Sequence, residues 1–286
     1  VYYAPGTGHV FMRSSWSKDA TWANFIAGPY TESHAHQDQG SFLIYKKGWL
    51  AYDENVATHS GIQQGTNMHN LVRLVRNGTP MPQREGSKPG KLFGLRDDAT
   101  LTYLASDLAP VYDDTYVAAV ERRMLFIKPD LFVIFDLVSS SGDLDTVWQL
   151  NTPINPTIDT GVATLSGPNA TLRVEMLEPE SGSFETIGWT GQDDITGGGY
   201  QLQFSQKGTT NRYLTVLSLD GALTSAIRTT DLDSIGATLT LADGRTVHVR
   251  FTNLNHGTTV VIEQGGSEIY NESFDETLQE LPRFAN

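Results

Sequence analysis

The sequence has no cysteine in 286 residues, which excludes disulfide bonds and thiolate metal ligands. It has no run of 18 apolar residues, so we expect no membrane-spanning helix. No signal peptide is recognisable, and the chain starts at Val1 without a methionine, as a mature or excised fragment would. A chain without cysteine fits a bacterial secreted or periplasmic protein, and it fits cytoplasmic proteins as well.

Basic residues are scarce in the second half of the chain. Residues 131–286 contain 7 Lys and Arg against 20 Asp and Glu, whereas residues 1–130 contain 13 of each. The net charge of −13 argues against a nucleic acid partner. Residues 73–96 run against this trend, because this stretch contains six Lys or Arg and a single acidic residue, Glu85. This stretch is either a loop that attracts an anionic ligand or a solvated loop paired with the acidic half.

Helical periodicity is missing too. No segment of 12 or more residues has a convincing helical stripe, and only residues 21–26 are a candidate for one helical turn. Short apolar runs separated by Gly, Asn and Asp predict strands instead, beginning with a hairpin of residues 41–45 and 49–52. Further strands are predicted at residues 116–125, 131–138, 146–150, 163–165, 172–177, 200–204, 212–219, 237–241, 246–252 and 258–263.

The pattern therefore predicts an all-β fold. We expect a large antiparallel β-sandwich of the supersandwich kind over residues 1–225, which carries the His and Asp residues discussed next. A smaller C-terminal β-region is predicted for residues 226–286.

Three histidines and an aspartate lie close together in the first quarter of the chain. His34 and His36 point to the same side if their segment is extended, and Asp53 and His69 follow them. Two imidazoles and one carboxylate suit zinc, which can leave its fourth position to water. One of the first two histidines is then left over, and a histidine beside a metal is a natural proton shuttle.

Neighbouring residues allow more than one interpretation. Asp38 is a metal ligand, a partner that orients His36 through its second ring nitrogen, or a turn carboxylate. His59 competes for a ligand position or lies on a surface loop, and Arg13 is a bidentate carboxylate binder or a structural ion pair. Aromatic residues around the motif either stack on sugars or fill the core: Trp16, Trp22, Phe25, Tyr30, Tyr45, Trp49 and Tyr52.

At these residues the chain resembles the heparinase II/III-like superfamily of polysaccharide lyases. The resemblance covers about the first 75 residues and is carried by residues 11–16, 33–42, 52–53 and 68–70. Members combine an N-terminal α/α toroid with a central β-sandwich and a smaller β-domain, and they cleave uronic-acid polysaccharides by β-elimination. The resemblance implies an acidic polysaccharide as substrate. Because the chain resembles only the β portion, it also implies a helical toroid as a partner.

The resemblance also implies roles for individual residues. His36, Asp53 and His69 map onto the ligands of a zinc ion that is usually considered structural, and His34 maps onto the catalytic histidine facing the uronate. A tyrosine, expected from the toroid, takes part in proton transfer, with Tyr30 as the local candidate. The expected substrate-binding residues are Arg13, Trp16, Gln37 and Asn70.

Three other functions remain open from the sequence. The first is a non-catalytic carbohydrate-binding β-domain with a structural zinc site. The second is a cupin-like metal enzyme, although Gly40 and Ser41 stand where that family has a glutamate. The third is a structural β-domain with incidental histidines.

Overall fold

The computed structural model describes residues 1–29, 35–53, 65–86, 88–189, 198–252 and 256–280. Within these residues the chain forms 21 strands in three antiparallel sheets and two short 3-10 turns, Thr66–Met68 and Ala109–Tyr112. The all-β prediction is confirmed. No helix in the described part of the chain is long and apolar enough to cross a membrane.

The N-terminal sheet is a simple meander of five strands. These strands are Tyr2–Ala4 (β1), His9–Arg13 (β2), Trp22–Ile26 (β3), Phe42–Tyr45 (β4) and Trp49–Ala51 (β5). The predicted hairpin of β4 and β5 is confirmed, with Ile44 opposite Ala51. The helical turn expected at residues 21–26 is wrong. This segment is strand β3, because both of its edges are hydrogen-bonded to neighbouring strands.

The central sheet has eleven strands. They are Val72–Arg76 (β6), Thr79–Pro80 (β7), Lys91–Asp97 (β8), Leu101–Asp107 (β9), Val117–Ile127 (β10), Leu131–Thr152 (β11), Thr157–Asp159 (β12), Val162–Ser166 (β13), Thr171–Glu178 (β14), Glu185–Trp189 (β15) and Gly199–Leu219 (β16). Eight of them follow one another in the order β12-β13-β14-β16-β11-β10-β9-β8. Strand β15 pairs with β16, and β6 pairs with β11 and β7.

Two strands of the central sheet are much longer than the sequence indicates. Strand β11 has 22 residues and unites the predicted strands 131–138 and 146–150. Strand β16 has 21 residues and likewise unites 200–204 and 212–219. The polar residues between the apolar runs stay in the ladder through a register shift between Ser139 and Leu144, so they continue the strand instead of ending it.

The C-terminal sheet is a second five-stranded meander. Its strands are Leu223–Asp231 (β17), Ser234–Leu241 (β18), Arg245–Thr252 (β19), Thr258–Gln264 (β20) and Ser267–Phe274 (β21). Turns at Asp243-Gly244 and Gly265-Gly266 join β18 to β19 and β20 to β21. The domain division between residues 225 and 226 stays a prediction.

The central sheet is buried on both faces. Along β10, Met124 and Phe126 belong to the core shared with the N-terminal sheet. Leu125 and Ile127 belong to the core shared with the C-terminal sheet. Because successive side chains of a strand point to opposite faces, one continuous apolar run serves both cores.

Part of the basic stretch at residues 73–96 is paired within the fold. The Arg76 guanidinium lies 3.9 Å from a carboxylate oxygen of Asp114 and stacks over the ring of Tyr116. The Arg84 Nε donates to the carbonyl oxygen of Tyr112 at 3.2 Å. For these two arginines the contacts favour the structural interpretation over an anion site.

Candidate functional site

The structure brings His36, Asp53 and His69 together at one end of the N-terminal sheet. His36 lies between β3 and β4, Asp53 follows β5, and His69 follows the Thr66–Met68 turn. The Nδ1 atom of His69 lies 3.2 Å from Oδ1 of Asp53, and the His36 and His69 ring centroids are 5.1 Å apart. His69 is fully buried, while His36 is partly exposed.

These distances suit the donor set of a zinc ion. Two atoms bound to one tetrahedral zinc at about 2.0–2.1 Å lie about 3.3 Å apart, and two imidazoles on it have centroids about 5 Å apart. Both separations are close to those observed between His69 and its two neighbours. Across the described residues, however, no group of three His, Asp or Glu side chains has converged to metal-binding geometry. The set is chemically suitable, and the zinc ion stays a prediction.

Burial shifts the pKa of His36, a member of this cluster, and of Asp38, which lies two residues further along the chain. Burial lowers the pKa of His36, and the positive charge of His69 lowers it further. Burial raises the pKa of Asp38 to about 6, against the opposing influence of His69. His36 is therefore neutral at neutral pH, which is the form that binds a metal.

A buried ion pair fixes the two segments that carry the histidines. Arg122 on β10 forms a bidentate pair with Asp136 on β11, at 2.6 Å from Nε to Oδ1 and 3.0 Å from Nη2 to Oδ2. The Nη1 atom of Arg122 donates to the carbonyl oxygens of Gly40 at 2.7 Å and Asn70 at 2.8 Å. One guanidinium thus ties the His36 segment and the His69 segment to the central sheet.

A row of buried amide side chains supports the His69 segment from below. Gln149 Nε2 donates to the carbonyl oxygens of Thr66 and His69, both at 2.6 Å. Asn151 Nδ2 donates to the carbonyl of Met68 at 2.6 Å. Gln201 adds a bond to the carbonyl of Asn67 at 2.9 Å and one to the Asn151 side chain at 2.8 Å. The backbone of residues 66–69 is therefore held at every carbonyl.

The sequence contains a signal for this support that motif reasoning does not use. Gln149 and Asn151 alternate with the apolar Trp148 and Leu150, so they share one face of a buried strand. Buried polar side chains need partners, and their presence at inward positions indicates a loop to be held.

Asn70 is expected from the sequence to contact substrate, and the structure corrects this. Its side chain is fully buried. The Nδ2 atom donates to the carbonyls of Phe42 at 2.7 Å and Tyr52 at 3.2 Å, and Oδ1 accepts from the Asn151 backbone at 2.6 Å. All of these bonds are internal, so Asn70 joins the N-terminal sheet to the central sheet.

Gln37 lies in a locked segment beside the cluster. Its Oε1 accepts a hydrogen bond from the Gln83 backbone at 3.0 Å. The Gln83 side chain forms two further bonds of 2.9 Å with the Gln39 backbone: its Oε1 accepts from the N–H and its Nε2 donates to the carbonyl oxygen. These contacts fix the residues directly after His36, and a substrate contact by Gln37 stays a prediction.

Arg13 and Trp16 lie on the open side of the N-terminal sheet. Trp16 is 85% exposed, and the Arg13 guanidinium stands over its ring at 5.3 Å from the centroid. Arg13 Nε donates to the carbonyl of Ser15, and Nη2 donates to that of Ser17. Among the described residues no carboxylate pairs with Arg13, and the choice between a carboxylate binder and a structural ion pair stays a prediction.

The two residues expected to be catalytic lie outside the described residues. These are Tyr30 and His34, and the competing ligand His59 lies outside them as well. Their roles stay predictions.

No family model matches this chain. Its sequence is 27% identical to a heparin-sulfate lyase of Pedobacter heparinus over 156 residues, which are 53% of this chain and 23% of that protein.

Solved structures resemble the chain over most of its length. A heparinase III gene product superimposes with a TM-score of 0.71 at 18% identity, covering 88% of this chain and 41% of the other. The heparan sulfate lyase HepC of Pedobacter heparinus gives 0.67 at 18% identity, with coverages of 84% and 40%. A further heparinase III gives 0.68 at 15% identity, with coverages of 96% and 42%. The chain thus spans less than half the length of each of these four proteins.

Proposed function

Because this chain has the fold of the β-sandwich portion of heparinase II/III-like polysaccharide lyases, we propose that it forms the β-sheet side of a polysaccharide lyase site. The proposed reaction is β-elimination in a uronic-acid polysaccharide. Heparan sulfate is the first polymer to assay, because the similar proteins are named for it. A helical domain is the proposed partner that completes the site, and the proposed location is secreted or periplasmic.

The main support is the packing of His36 and Asp53 around the buried ring of His69. Chance histidines do not account for the buried arginine and three amides that hold the surrounding backbone. Such support, costly in buried polar groups, is typical of a site whose side chains must be held in one geometry.

The elimination requires three events at one sugar ring. A base removes the proton on C5, the electron pair of that bond forms the C4–C5 double bond, and the bond from C4 to the glycosidic oxygen breaks. An acid then gives a proton to the departing oxygen. Charge builds up on the uronate carboxylate during proton removal, so groups that neutralise the carboxylate lower the barrier.

We assign the carboxylate contact to His34. Arg13 ends β2 on the side away from the cluster, so its proposed contact is with an anionic group elsewhere on the polymer. The proton transfers belong to a tyrosine, either Tyr30 or one supplied by the partner domain. His36, Asp53 and His69 would hold zinc. Bound there, zinc would brace the loops that line the site.

The experiment is to replace His34 by alanine in a protein supplied with its helical domain, and to measure unsaturated products by their ultraviolet absorbance on heparan sulfate, chondroitin and alginate. We expect one polymer to be cleaved and the rate to fall by about 100-fold or more in the variant, a typical cost for a lost acid–base or charge-stabilising group. His248→Ala, on the C-terminal sheet, is the matched control and should retain full activity.

Full activity of His34→Ala would contradict the assigned role. Binding of a polymer without any unsaturated product, in a protein supplied with its helical domain, would favour a carbohydrate-binding domain instead.

A further inference from the structure

Five aromatic side chains form a continuous row across the open face of the N-terminal sheet. The ring centroids of Tyr2 and Phe11 are 6.2 Å apart, and those of Phe11 and Trp22 are 6.3 Å apart. Trp22 then contacts Trp49 at 5.9 Å, and Trp49 contacts Tyr45 at 5.3 Å. The row, which we call the aromatic track, therefore has a member on each of the five strands.

The track faces solvent, while the alternate residues of the same strands face the core. Val10 and Met12 are fully buried on either side of Phe11. Tyr2 is 49% exposed, and on the track's other end Trp49 is 42% exposed. Aromatic side chains at outward positions of a strand gain nothing from the core, and a run of them marks a binding surface.

One side of the track reaches the His and Asp cluster. His9 on β2 stacks on Phe11, with centroids 5.6 Å apart and an angle of 12° between the planes. His9 also lies opposite Ile26, the last residue of β3, and the Ile26 carbonyl accepts a hydrogen bond from the Gly40 backbone N–H at 2.8 Å, so His9 lies at the end of the sheet to which the His36 segment returns. A chain-like ligand that occupies the cluster can therefore continue onto the aromatic track without leaving the surface.

Charge indicates what kind of ligand fits. Arg13 lies on the same face, next to Trp22 in the strand register, and its guanidinium bonds only to backbone carbonyls among the described contacts. In an acidic protein this is a cation available to an anionic group. Two members of the track are tyrosines and two are tryptophans, so it offers both flat apolar faces and side chains with hydrogen-bond donors.

We propose that the aromatic track binds sugar rings of an acidic polysaccharide as the chain extends away from the cluster. This inference rests on the proposed function for the identity of the polymer. Five strands at about 4.8 Å spacing give the track a length of about 19 Å, enough for several sugar rings. Long fragments therefore gain from the track, and fragments that fill only the cluster do not.

The test is calorimetric titration of the protein with size-defined heparan sulfate fragments of four and of twelve sugars. Trp49→Ala should bind the long fragment about tenfold more weakly, with the affinity for the short fragment unchanged. Leu232→Ala is the control. This side chain is 98% exposed and lies in the C-terminal sheet, in the turn between β17 and β18. Trp49→Phe keeps a flat ring and should restore most of the affinity, which separates stacking from misfolding.

Equal affinity of Trp49→Ala and the unchanged protein for the long fragment would overturn the proposal. A Trp49→Ala protein that changes its sedimentation mass while keeping its glycan affinity would overturn it too, and would identify a protein interface. Trp49-dependent binding without any cleavage, in a protein supplied with its helical domain, would leave the track in place and refute the lyase reaction. Cleavage that is indifferent to Trp49 at every fragment length would refute the track alone.

Discussion

Two adjacent arginines on β10 hold opposite sides of the central sheet. Arg122 points toward the N-terminal sheet, pairs with Asp136 and binds the carbonyls of Gly40 and Asn70. Arg123 points toward the C-terminal sheet. Its Nη1 donates to the carbonyl of Gly257 at 3.1 Å and its Nη2 to that of Thr252 at 3.0 Å. One strand thus fixes the candidate site on one face and a separate sheet on the other.

The two arginines differ in how their charge is balanced. Asp136 is almost fully buried and meets Arg122 in a two-bond pair. Glu121 lies 3.5 Å from Arg123 and also contacts His256 at 3.1 Å, so this carboxylate is shared. On the site side, Arg122 and Asp136 have no other charged partner among the described contacts, so each depends on the other. On the C-terminal side, Glu121 keeps His256 as a partner if Arg123 is lost.

The largest effect is expected from Arg122→Met. Asp136 would keep a buried charge without a partner, which costs about 3–5 kcal/mol of unfolding free energy in comparable buried pairs. The loops carrying His36 and His69 would lose their shared anchor as well, so cleavage should be lost together with stability. Denaturant unfolding measures the first quantity and the product assay the second.

The control for this substitution is the double variant Arg122→Met with Asp136→Leu. Removing both charges should recover part of the lost stability, because no unpaired charge remains buried. Activity should not return, since the carbonyls of Gly40 and Asn70 still lack their donor. A single variant as stable as the unchanged protein would contradict the anchoring role of Arg122.

Removal of metal should have the next largest effect, and only on the site side. A ligand present at 100 times its dissociation constant adds about 2.7 kcal/mol to the stability of the native state. Chelation, or His36→Ala, should therefore lower the melting temperature of a protein that was isolated with zinc. The measurement is a melting curve with and without chelator, beside a metal assay. An unchanged curve in a sample shown to have lost its metal would contradict the bracing site.

The sequence predicts the residues of the candidate site better than the buried residues that hold them in place. His36, Asp53 and His69 lie close together in the sequence and are therefore recognisable as a local pattern. The hairpin of β4 and β5, which the sequence also predicts, places Asp53. Arg122 pairs with Asp136 on the neighbouring strand and binds Gly40 and Asn70, which lie 82 and 52 residues away in the chain, so no local pattern indicates these contacts.

Face assignment shows the same limit. Trp49 and Tyr45 belong to the open face, whereas Phe25 and Tyr52, from the same aromatic group of the sequence, are buried. Aromatic residues suit both environments, and only the register of the strands separates the two sets. Asn70 shows the same ambiguity: it is a polar residue beside a histidine ligand candidate, yet its side chain is buried in the core.

The smallest of these effects is expected from Arg123→Met, and it tests whether the two faces are separable. Loss of the bonds to Gly257 and Thr252 should cost about 1–3 kcal/mol, less than for Arg122, because Glu121 keeps its contact with His256. Amide hydrogen exchange should become faster in β19 and β20 and stay unchanged at residues 66–71, since the amides that hold the latter come from β11 and β16. Arg122→Met should give the opposite exchange pattern. Equal acceleration on both faces in either variant would mean that the central sheet transmits the loss, and that the site and the C-terminal sheet unfold as one unit.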